Sequence, residues 1–282
     1  MEATPALQEK YLDLQNIFDE MGSTLVAFSG GIDSTLVLKA AYTVLGDRAL
    51  AVTAVSPTFP DIELKIVRQV IEEIGAPLRI VQTDQLMIDD FVRNDANRCF
   101  HCKTDLYQLL QGIQQEMGFH SIVDGTNVDD LQDDRPGIQA ARALGVRSPL
   151  VEAGFGKGEI RALANFLDLS NWNKPAAACL SSRVPRGVPI TRAALSRVEQ
   201  AEALLFDEGF SQVRVRDHEG IARIEVEGTE IMLFSDEQRR DRIADRLKKL
   251  GFRFVTVDLE GYRSGSANFS RATRTPGSSS EK

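Results

Sequence analysis

A short loop of glycines and serines is the first part of the sequence that could do chemistry. It occupies Ser29–Ser34, after a short apolar stretch and before a helical pattern. The first N–H groups of a helix attract anions, and paired glycines let a phosphate approach the backbone closely. A plain glycine turn capped by Asp33 is the simpler alternative, and the lack of a Gly-Lys-Ser/Thr ending excludes a Walker loop. The predicted phosphate contacts are Ser29, Gly30, Gly31, Asp33 and Ser34.

Two further polar segments follow apolar stretches. The first is the end of the apolar stretch at Val52–Ser56, which closes with Ser56. The second is Asp124–Asp130, which follows another apolar stretch. Ligands of open α/β sheets bind beyond the carboxyl ends of the strands, so we expect these segments and the phosphate loop to line one pocket. The candidate contacts are Ser56, Gly125, Thr126 and Asn127. Asp129 and Asp130 could form a solvated turn, or they could position Mg²⁺ or substrate.

Three cysteines offer a second kind of chemistry. Cys99 and Cys102 form a CxxC pair, and Cys179 lies in a polar stretch that contains prolines. An odd count without secretory context disfavours a disulfide framework and favours catalytic or metal-binding sulfur. Zinc would need a fourth ligand, and His101 is badly placed for that because it adjoins Cys102. Three thiolates suit a [4Fe–4S] cluster with one open iron, while zinc and unliganded thiols remain alternatives.

The first half of the chain alternates apolar stretches with amphipathic helical patterns. Apolar residues at steps of three and four predict an N-terminal helix from Leu7 to Met21, ended by Gly22. Strands are predicted at 25–28, 49–55, 78–81 and 121–124, and helices at 34–45, 61–74, about 103–117, 137–144 and 158–168. Short apolar strands separated by helices indicate an α/β fold with a parallel sheet covered on both faces. The stretch 170–191 has no clear period and is expected to be a functional loop or a linker.

The pattern changes after Thr191. A helix is predicted at about 193–207, strands at 213–216 and 222–226, a charged helix at about 235–250 and a strand at 252–259. This order is typical of a small α+β domain. We therefore expect a first domain at 1–185, a smaller domain for substrate binding or oligomerisation at 186–265, and a disordered tail at 266–282.

Composition narrows the class of protein. The 282 residues are 43% apolar and 26% charged, which is ordinary for a globular protein with sizeable cores. No run approaches the ~18 apolar residues that cross a bilayer, and the N-terminus is unlike a signal peptide, so a cytoplasmic location is expected. The net charge of −8 disfavours broad electrostatic binding to nucleic acid or anionic membranes.

The phosphate loop carries a resemblance to a known superfamily. Ser29–Ser34 resembles the pyrophosphate loop of the PP-loop ATP pyrophosphatases, which include GMP synthetase, NAD synthetase and tRNA-thiolating enzymes. The resemblance implies an adenine nucleotide alpha hydrolase-like domain that cleaves ATP to AMP and pyrophosphate with Mg²⁺. It also implies that Ser56 lies near the adenine and that Gly125, Thr126 and Asn127 contact ATP.

A larger set of segments resembles one family within that superfamily. Beyond the loop, the set comprises the surroundings of Cys179, the strands 213–216 and 222–225, and Gly261–Ser266. These segments resemble the LarE family of sulfur transferases, which make the nickel-pincer nucleotide cofactor of lactate racemase. The similarity extends from about residue 10 to residue 268. It implies adenylation of the carboxylates of pyridinium-3,5-dicarboxylate mononucleotide and their conversion to thiocarboxylates.

The implied substrate carries a phosphate and two carboxylates, so it needs cations. The candidates are Arg183, Arg186, Arg214, Arg216 and Arg263. Alternate strand positions point the same way, so Arg214 and Arg216 could form a two-armed phosphate clamp. They could also be solvent-facing arginines on an edge strand. Glu202 and Glu225 could bind metal or orient the nucleotide.

Two branches of the LarE family differ in their sulfur source. One branch consumes a single cysteine, which corresponds to Cys179, and leaves dehydroalanine. The other holds a cluster on three cysteines, and that cluster carries an extra sulfide. Because Cys99 and Cys102 accompany Cys179, the resemblance implies the cluster branch, with these three as ligands and catalytic residues. It also implies sulfide or another sulfur donor as a partner, and a homo-oligomer, a hexamer in this family.

Two other functions are compatible with the same motifs. Some tRNA-thiolating enzymes also combine a pyrophosphate loop with three cysteines on a [4Fe–4S] cluster. The acidic charge and the lack of a recognisable RNA-binding domain disfavour nucleic acid as a partner. A non-enzymatic ATP or iron–sulfur sensor would bind nucleotide without cleaving it, and an intact loop beside sulfur ligands favours an enzyme instead.

Overall fold

The computed structural model of the 282-residue chain describes residues 4–132, 136–175 and 177–263. The chain forms two compact units. The first holds the described residues up to Leu180 together with Arg186–Leu195. The second holds Ser181–Pro185 and the described residues from Ser196 onward. The tail expected at 266–282 lies outside the described residues.

The first unit has the α/β fold that the sequence predicted. Its four strands are all parallel, in the order β3-β2-β1-β4. The strands are β1 (Thr24–Ala27), β2 (Ala49–Val55), β3 (Leu78–Gln82) and β4 (Ser121–Val123). The helices are α1 (Pro5–Met21), α2 (Ile32–Leu45), α3 (Asp61–Ile74), α4 (Asp89–Val92), α5 (Arg98–Met117), α6 (Pro136–Ala143), α7 (Pro149–Glu152) and α8 (Lys157–Phe166).

Both faces of this sheet are covered by helices. Side chains of a strand alternate between the two faces. Val26 accordingly packs into a core with α1, α2, α3 and α8, whereas its neighbour Leu25 packs with α5 and α6. This double burial explains why the strands are continuous apolar runs rather than alternating patterns.

Helix α5 begins earlier than the sequence predicted. The expected start was near residue 103, but the helix begins at Arg98 and includes both Cys99 and Cys102 at its N-terminal end. This end has no apolar period, so the hydrophobic pattern does not reveal it. Residues three apart on a helix lie on the same face, so Cys99 and Cys102 share one face of α5.

The second unit is built around a mixed three-stranded sheet. Its order is β5-β6-β7, with the first pair antiparallel and the second parallel. The strands are β5 (Val213–His218), β6 (Ile221–Val226) and β7 (Phe254–Val257), and the helices are α9 (Arg192–Asp207), which enters this unit at Ser196, and α10 (Glu237–Lys249). Apolar side chains of α9, α10 and the strands form its core.

Among the helices of residues 4–132, 136–175 and 177–263, none combines the length and the apolar character that crossing a membrane requires.

Candidate active site

A cavity of about 540 Å³ lies in the first unit at the carboxyl edge of the parallel sheet. This volume is within the usual range for a small-molecule site. The structure brings together the three polar segments that the sequence placed in one pocket. Of the expected nucleotide contacts, those that line the cavity are Ser29, Gly31, Asp33, Ser34, Ser56, Gly125 and Thr126. Gly30 and Asn127 support this wall through contacts with its other members.

Packing and hydrogen bonds both fix the shape of the phosphate loop. Gly30 has a φ of 72°, in the left-handed region that favours glycine, and a Cβ atom there would lie 2.9 Å from Cγ2 of Val67. The Ser34 hydroxyl donates to the Gly31 carbonyl at 3.0 Å and accepts from the Ser29 N–H at 3.3 Å. Helix α2 starts directly after this turn, so a helix N-terminus that favours anions borders the cavity.

The loop after β4 presses against the phosphate loop. A Cβ atom on Gly125 would lie 2.7 Å from the backbone nitrogen of Ser34, so this approach requires glycine. The buried Asn127 donates through Nδ2 to Oδ1 of Asp33 at 3.0 Å. Burial raises the pKa of Asp33; the Asn127 hydrogen bond partly offsets this effect, and nearby Asp130 reinforces it. The two loops therefore form one continuous wall of the cavity.

Asp124 organises the same edge, although the sequence did not single it out as a site residue. Its buried carboxylate accepts hydrogen bonds from the Tyr107 hydroxyl at 2.9 Å, the Ser148 hydroxyl at 2.8 Å and the Thr126 N–H at 3.1 Å. A carboxylate with several donors is held in one orientation. Its position immediately after β4 was the signal that could have identified it.

Four cations line the cavity that sequence reasoning did not select. They are Lys103, Lys157, Arg161 and Lys174. Lys174 forms an ion pair with Glu63, and Arg161 donates to the Lys174 carbonyl at 3.3 Å. The Nζ atom of Lys103 lies 5.4 Å from the ring centroid of Tyr107. The same lining includes the acidic residues Asp33, Glu63, Asp124 and Asp130, so the cavity offers individual cations to an anionic ligand and not a uniformly positive wall.

Asp129 and Asp130 both engage the start of α8. Oδ2 of Asp129 accepts from the backbone N–H of Lys157 at 2.6 Å, as a helix-capping carboxylate does. Oδ1 of Asp130 lies 3.1 Å from Nζ of Lys157. Asp130 also lines the cavity, so it is the better placed of the two to face a ligand.

The three thiols lie near one another in the first unit. Cys102 and Cys179 line the cavity, and Cys99 lies one helical turn from Cys102 on α5. Burial raises the pKa of Cys102 to about 12, and the neighbouring thiols of Cys179 and Cys99 act in the same direction. Within the described ranges, no three His, Cys, Asp or Glu side chains gather as the ligands of one metal ion would.

Two of the expected substrate arginines form buried ion pairs in the second unit. Nε and Nη2 of Arg183 lie 2.9 and 3.0 Å from the Glu202 carboxylate, and the arginine side chain is 2% exposed. Nε and Nη2 of Arg216 lie 2.5 and 2.9 Å from the Glu225 carboxylate. Both glutamates suggested by the sequence are therefore partners of arginine in this structure. Burial opposes ionisation of Glu225, but its hydrogen bonds and charge contacts with arginines outweigh burial and lower its pKa.

The other three expected arginines lie in different surroundings. Arg214 donates to the Val213 carbonyl at 2.7 Å, and its guanidinium lies 5.3 Å from the ring centroid of Tyr262. Burial, followed by the charge of Arg183, lowers the pKa of Arg214. Arg186 donates to the Asp95 carbonyl in the first unit, and Arg263 pairs with Glu260 in the second. The structure thus brings Arg183, Arg214 and Arg216 together within the second unit.

Comparison with known proteins identifies close relatives. The chain is 43% identical to the uncharacterized protein slr1717 of Synechocystis over 93% of this chain and 98% of that protein. It is 41% identical to the pyridinium-3,5-bisthiocarboxylic acid mononucleotide synthase of Lactiplantibacillus plantarum over 93% of this chain and 95% of that enzyme. It is 28% identical to the uncharacterized protein MJ0830 of Methanocaldococcus jannaschii over 85% of this chain and 90% of that protein.

No family model matches the chain. Identity of 41% to the Lactiplantibacillus enzyme across nearly the full length of both chains is enough to assign a family. The phosphate loop, the Cys179 stretch and the arginine-bearing strand β5 all lie in the segments that carried the sequence resemblance. The chain belongs to the family of the pyridinium-3,5-bisthiocarboxylic acid mononucleotide synthases, the LarE family of sulfur transferases.

Proposed function

We propose that this protein is an ATP-dependent sulfur transferase that converts the carboxylates of pyridinium-3,5-dicarboxylate mononucleotide to thiocarboxylates. The observation that carries the proposal is one cavity lined by both a phosphate-binding loop and two thiols, Cys102 and Cys179. Activation of a carboxylate and delivery of sulfur need these two kinds of group close together. The named relative from Lactiplantibacillus supports the substrate class.

ATP is proposed to bind with its phosphates at the loop and its adenine toward the end of β2. The N-terminus of α2, the Ser29 and Ser34 hydroxyls and the lining cations all favour a polyphosphate there. Ser56 lies beyond β2 and lines the same cavity. Asp130 is the proposed contact to Mg²⁺, which would balance charge on the phosphates.

The reaction follows from the chemistry of carboxylates. A carboxylate oxygen of the substrate attacks the α-phosphorus of ATP, and the bond from that phosphorus to pyrophosphate breaks. The resulting acyl adenylate has a good leaving group, whereas a free carboxylate has a poor one. Attack of sulfide sulfur on the acyl carbon then breaks the bond to AMP and leaves a thiocarboxylate. Lining cations stabilise the negative charge that moves onto pyrophosphate.

The arginine cluster of the second unit is proposed to hold the phosphate of the substrate. Burial and the charge of Arg183 lower the pKa of Arg214, and Glu202 partly opposes this shift. A bound anion would offset the repulsion between the Arg214 guanidinium and its neighbouring guanidinium groups. Arg214 is therefore the main proposed phosphate contact, with Arg183 and Arg216 supporting it. Arg186 and Arg263 are proposed as weaker contacts.

A [4Fe–4S] cluster is the proposed group at Cys99, Cys102 and Cys179. If a cluster were bound, these three residues would hold it with one thiolate on each of three irons, so the thiols would not have to meet at one point as the ligands of a single ion would. The mutual influence of the three thiols on the pKa of Cys102 indicates that they are neighbours. When bound, a cluster with one iron free of protein ligands supplies a position for an extra sulfide. The alternative is that Cys179 itself is the consumed sulfur donor.

The decisive experiment combines three measurements on protein purified without oxygen. Pyrophosphate release and thiocarboxylate formation should both occur with ATP, the pyridinium substrate and sulfide. Cys179→Ala should lose thiocarboxylate formation but keep pyrophosphate release, because adenylation precedes the transfer of sulfur. Iron and labile sulfide near four per chain should be lost in the same variant. Continued turnover by Cys99→Ala would count against the cluster, and loss of sulfur mass from Cys179 after one turnover would establish the consumed donor instead. No pyrophosphate release with any carboxylate substrate would overturn the proposal.

A further inference from the structure

The stretch that carries Cys179 is tied to the phosphate loop. We call the described residues 171–175 and 177–180 the thiol segment. Near its start, Nδ2 of the buried Asn171 donates to the Gly30 carbonyl at 3.1 Å and to the Thr35 hydroxyl at 2.9 Å. Nζ of Lys174 donates to the same Gly30 carbonyl at 3.4 Å. One carbonyl of the phosphate loop therefore accepts two hydrogen bonds from the segment that bears the thiol.

The planarity of the peptide bond gives this contact a consequence for anion binding. In a trans peptide the C=O of one residue and the N–H of the next point in opposite directions. Holding the Gly30 carbonyl toward Asn171 and Lys174 thus turns the Gly31 N–H the other way. This N–H donates to the Ser29 hydroxyl at 3.4 Å, and both Gly31 and Ser29 line the cavity. Asn171 and Lys174 therefore set the aim of an N–H group that is suited to bind phosphate.

The ion pair of Lys174 makes its contact with the Gly30 carbonyl sensitive to an anionic ligand at the loop. Lys174 forms an ion pair with Glu63, both side chains are largely buried, and both residues line the cavity. A polyphosphate at the loop would compete with Glu63 for the ammonium group. Lys174 is five positions from Cys179 and in the same segment, whose far end is fixed by the Leu180 N–H donating to the Thr58 carbonyl at 2.9 Å. If Lys174 changes its partner, one end of a short stretch moves while Leu180 holds the other end. The Cys179 thiol lies between these two ends.

We propose that Asn171 and Lys174 are positioning residues that couple nucleotide binding at the phosphate loop to the exposure of the Cys179 thiol. The inference rests on the proposed function, because it takes a nucleoside triphosphate as the ligand of the loop. Coupling is reciprocal, so the same contacts that present Cys179 after nucleotide binding also adjust nucleotide affinity. Through this coupling, the Cys179 thiol would be presented for sulfur transfer only when the nucleotide that activates the carboxylate is bound.

The test measures thiol reactivity, independently of turnover. Full-length protein is kept reduced and freed of iron by chelation, and iodoacetamide labelling of Cys179 is followed by peptide mass spectrometry, with Cys99 as the internal reference. Labelling is compared without ligand and at saturation with an ATP analogue that carries a methylene group between the α and β phosphorus atoms. We expect the analogue to change the relative labelling rate of Cys179 by about fivefold or more in the wild type.

The variants separate coupling from simple shielding by the ligand. In Asn171→Ala and in Lys174→Met, the saturating analogue should change the relative labelling rate of Cys179 by less than about twofold. The exposed neighbour Asn173, changed to Ala, should keep the wild-type effect. Shielding alone would persist in every saturated variant, so a wild-type effect in both Asn171→Ala and Lys174→Met would overturn the inference. Unchanged labelling in wild type with bound analogue would also overturn it, leaving the proposed function intact. Failure of the analogue to bind wild type would overturn the proposed function itself.

Discussion

The two units of this protein hold charged groups in different ways. In the first unit, two glycine-containing loops form part of the cavity wall, and Gly125 lets their backbones approach closely. In the second unit, long side chains form the charged cluster, and Arg216 is bound to Glu225 in the protein interior. A site formed by a glycine-containing loop can be recognised from a short motif in the sequence. A site formed by paired side chains cannot, because the two partners are separated in the sequence and meet only in the folded chain.

The largest effect should come from closing the space between the two loops of the first unit. In Gly125→Ala, the new methyl group would meet the Ser34 nitrogen at 2.7 Å, and a backbone atom cannot move aside cheaply. We expect pyrophosphate release to fall by about 100-fold or more, because small displacements of a positioning loop cost this much. Steady-state kinetics with ATP measure the loss.

The matched control for that variant is Gly112→Ala. Gly112 lies within α5, and a Cβ atom there would meet nothing within 4 Å. Alanine favours helix, so this variant should unfold at the same or a slightly higher temperature and keep full activity. Normal turnover by Gly125→Ala would show that the contact between the loops does not position the phosphate site.

The second largest effect should appear in the stability of the second unit. Glu225→Gln keeps the shape of the side chain but removes the charge that compensates the buried Arg216. Leaving one member of a buried ion pair costs about 3–5 kcal/mol in the free energy of unfolding. Urea unfolding followed by circular dichroism would measure it.

A double variant tests whether the loss comes from the uncompensated charge. Glu225 also pairs with Arg223 at 2.7 Å, but the Arg223 side chain is 34% exposed and can be solvated. Adding Arg216→Met to Glu225→Gln removes the buried cation as well and should recover part of the stability. If the double variant is as unstable as the single variant, lost packing around Glu225 explains the effect instead. In that case packing, and not the compensation of buried charge, would be what stabilises the second unit at Glu225.

Elements were predictable where they arise from local hydrophobic pattern. The bounds of β2 and α3 agree with the sequence prediction, because their apolar periods run to their ends. The N-terminal end of α5, Arg98–Cys102, was missed, since it has no such period and includes the two cysteines. The division of the chain is also non-local, because Ser181–Pro185 belongs to the second unit while Arg186–Leu195 returns to the first.

The candidate site shows the same limit. Ser29 and Gly125 were predictable because both follow strands whose carboxyl ends share one edge. Lys157 and Arg161 were not, because they reach the cavity from α8, far away in the sequence. For Arg183 the residue type suggested an anion site, but only the folded chain reveals that Glu202 is already its partner.

The pH dependence of stability should have opposite signs in the two units. Burial raises the pKa of Asp33 above 3.8, so its folded state favours the protonated acid, and stability decreases as the pH rises from 3.8 through the raised pKa. The pKa of Glu225 is lowered below 4.5, so its contribution is present above pH 4.5 and is lost as the pH falls through the lowered value. Unfolding free energies measured from pH 3 to pH 7 would show both slopes.

Neutral variants should separate these two contributions. Asp33→Asn should gain stability relative to wild type as the pH rises, because it removes the cost of a buried charge. Glu225→Gln should lose less stability than wild type when the pH falls below 4.5. Parallel pH profiles for the two variants would contradict the contrast between a buried carboxyl and one held by arginines.

The smallest effect is expected from an ion pair on the surface, which sharpens the comparison with the buried pairs. Nη2 of Arg79 lies 3.1 Å from Oε2 of Glu116, and their side chains are 37% and 62% exposed. Water solvates both charges whether or not they touch, so Arg79→Ala should lower the free energy of unfolding by about 0.5 kcal/mol or less. Urea unfolding beside Glu225→Gln gives the direct contrast. A loss comparable to that of the buried pair would mean that burial does not decide how much an arginine–glutamate pair matters in this fold.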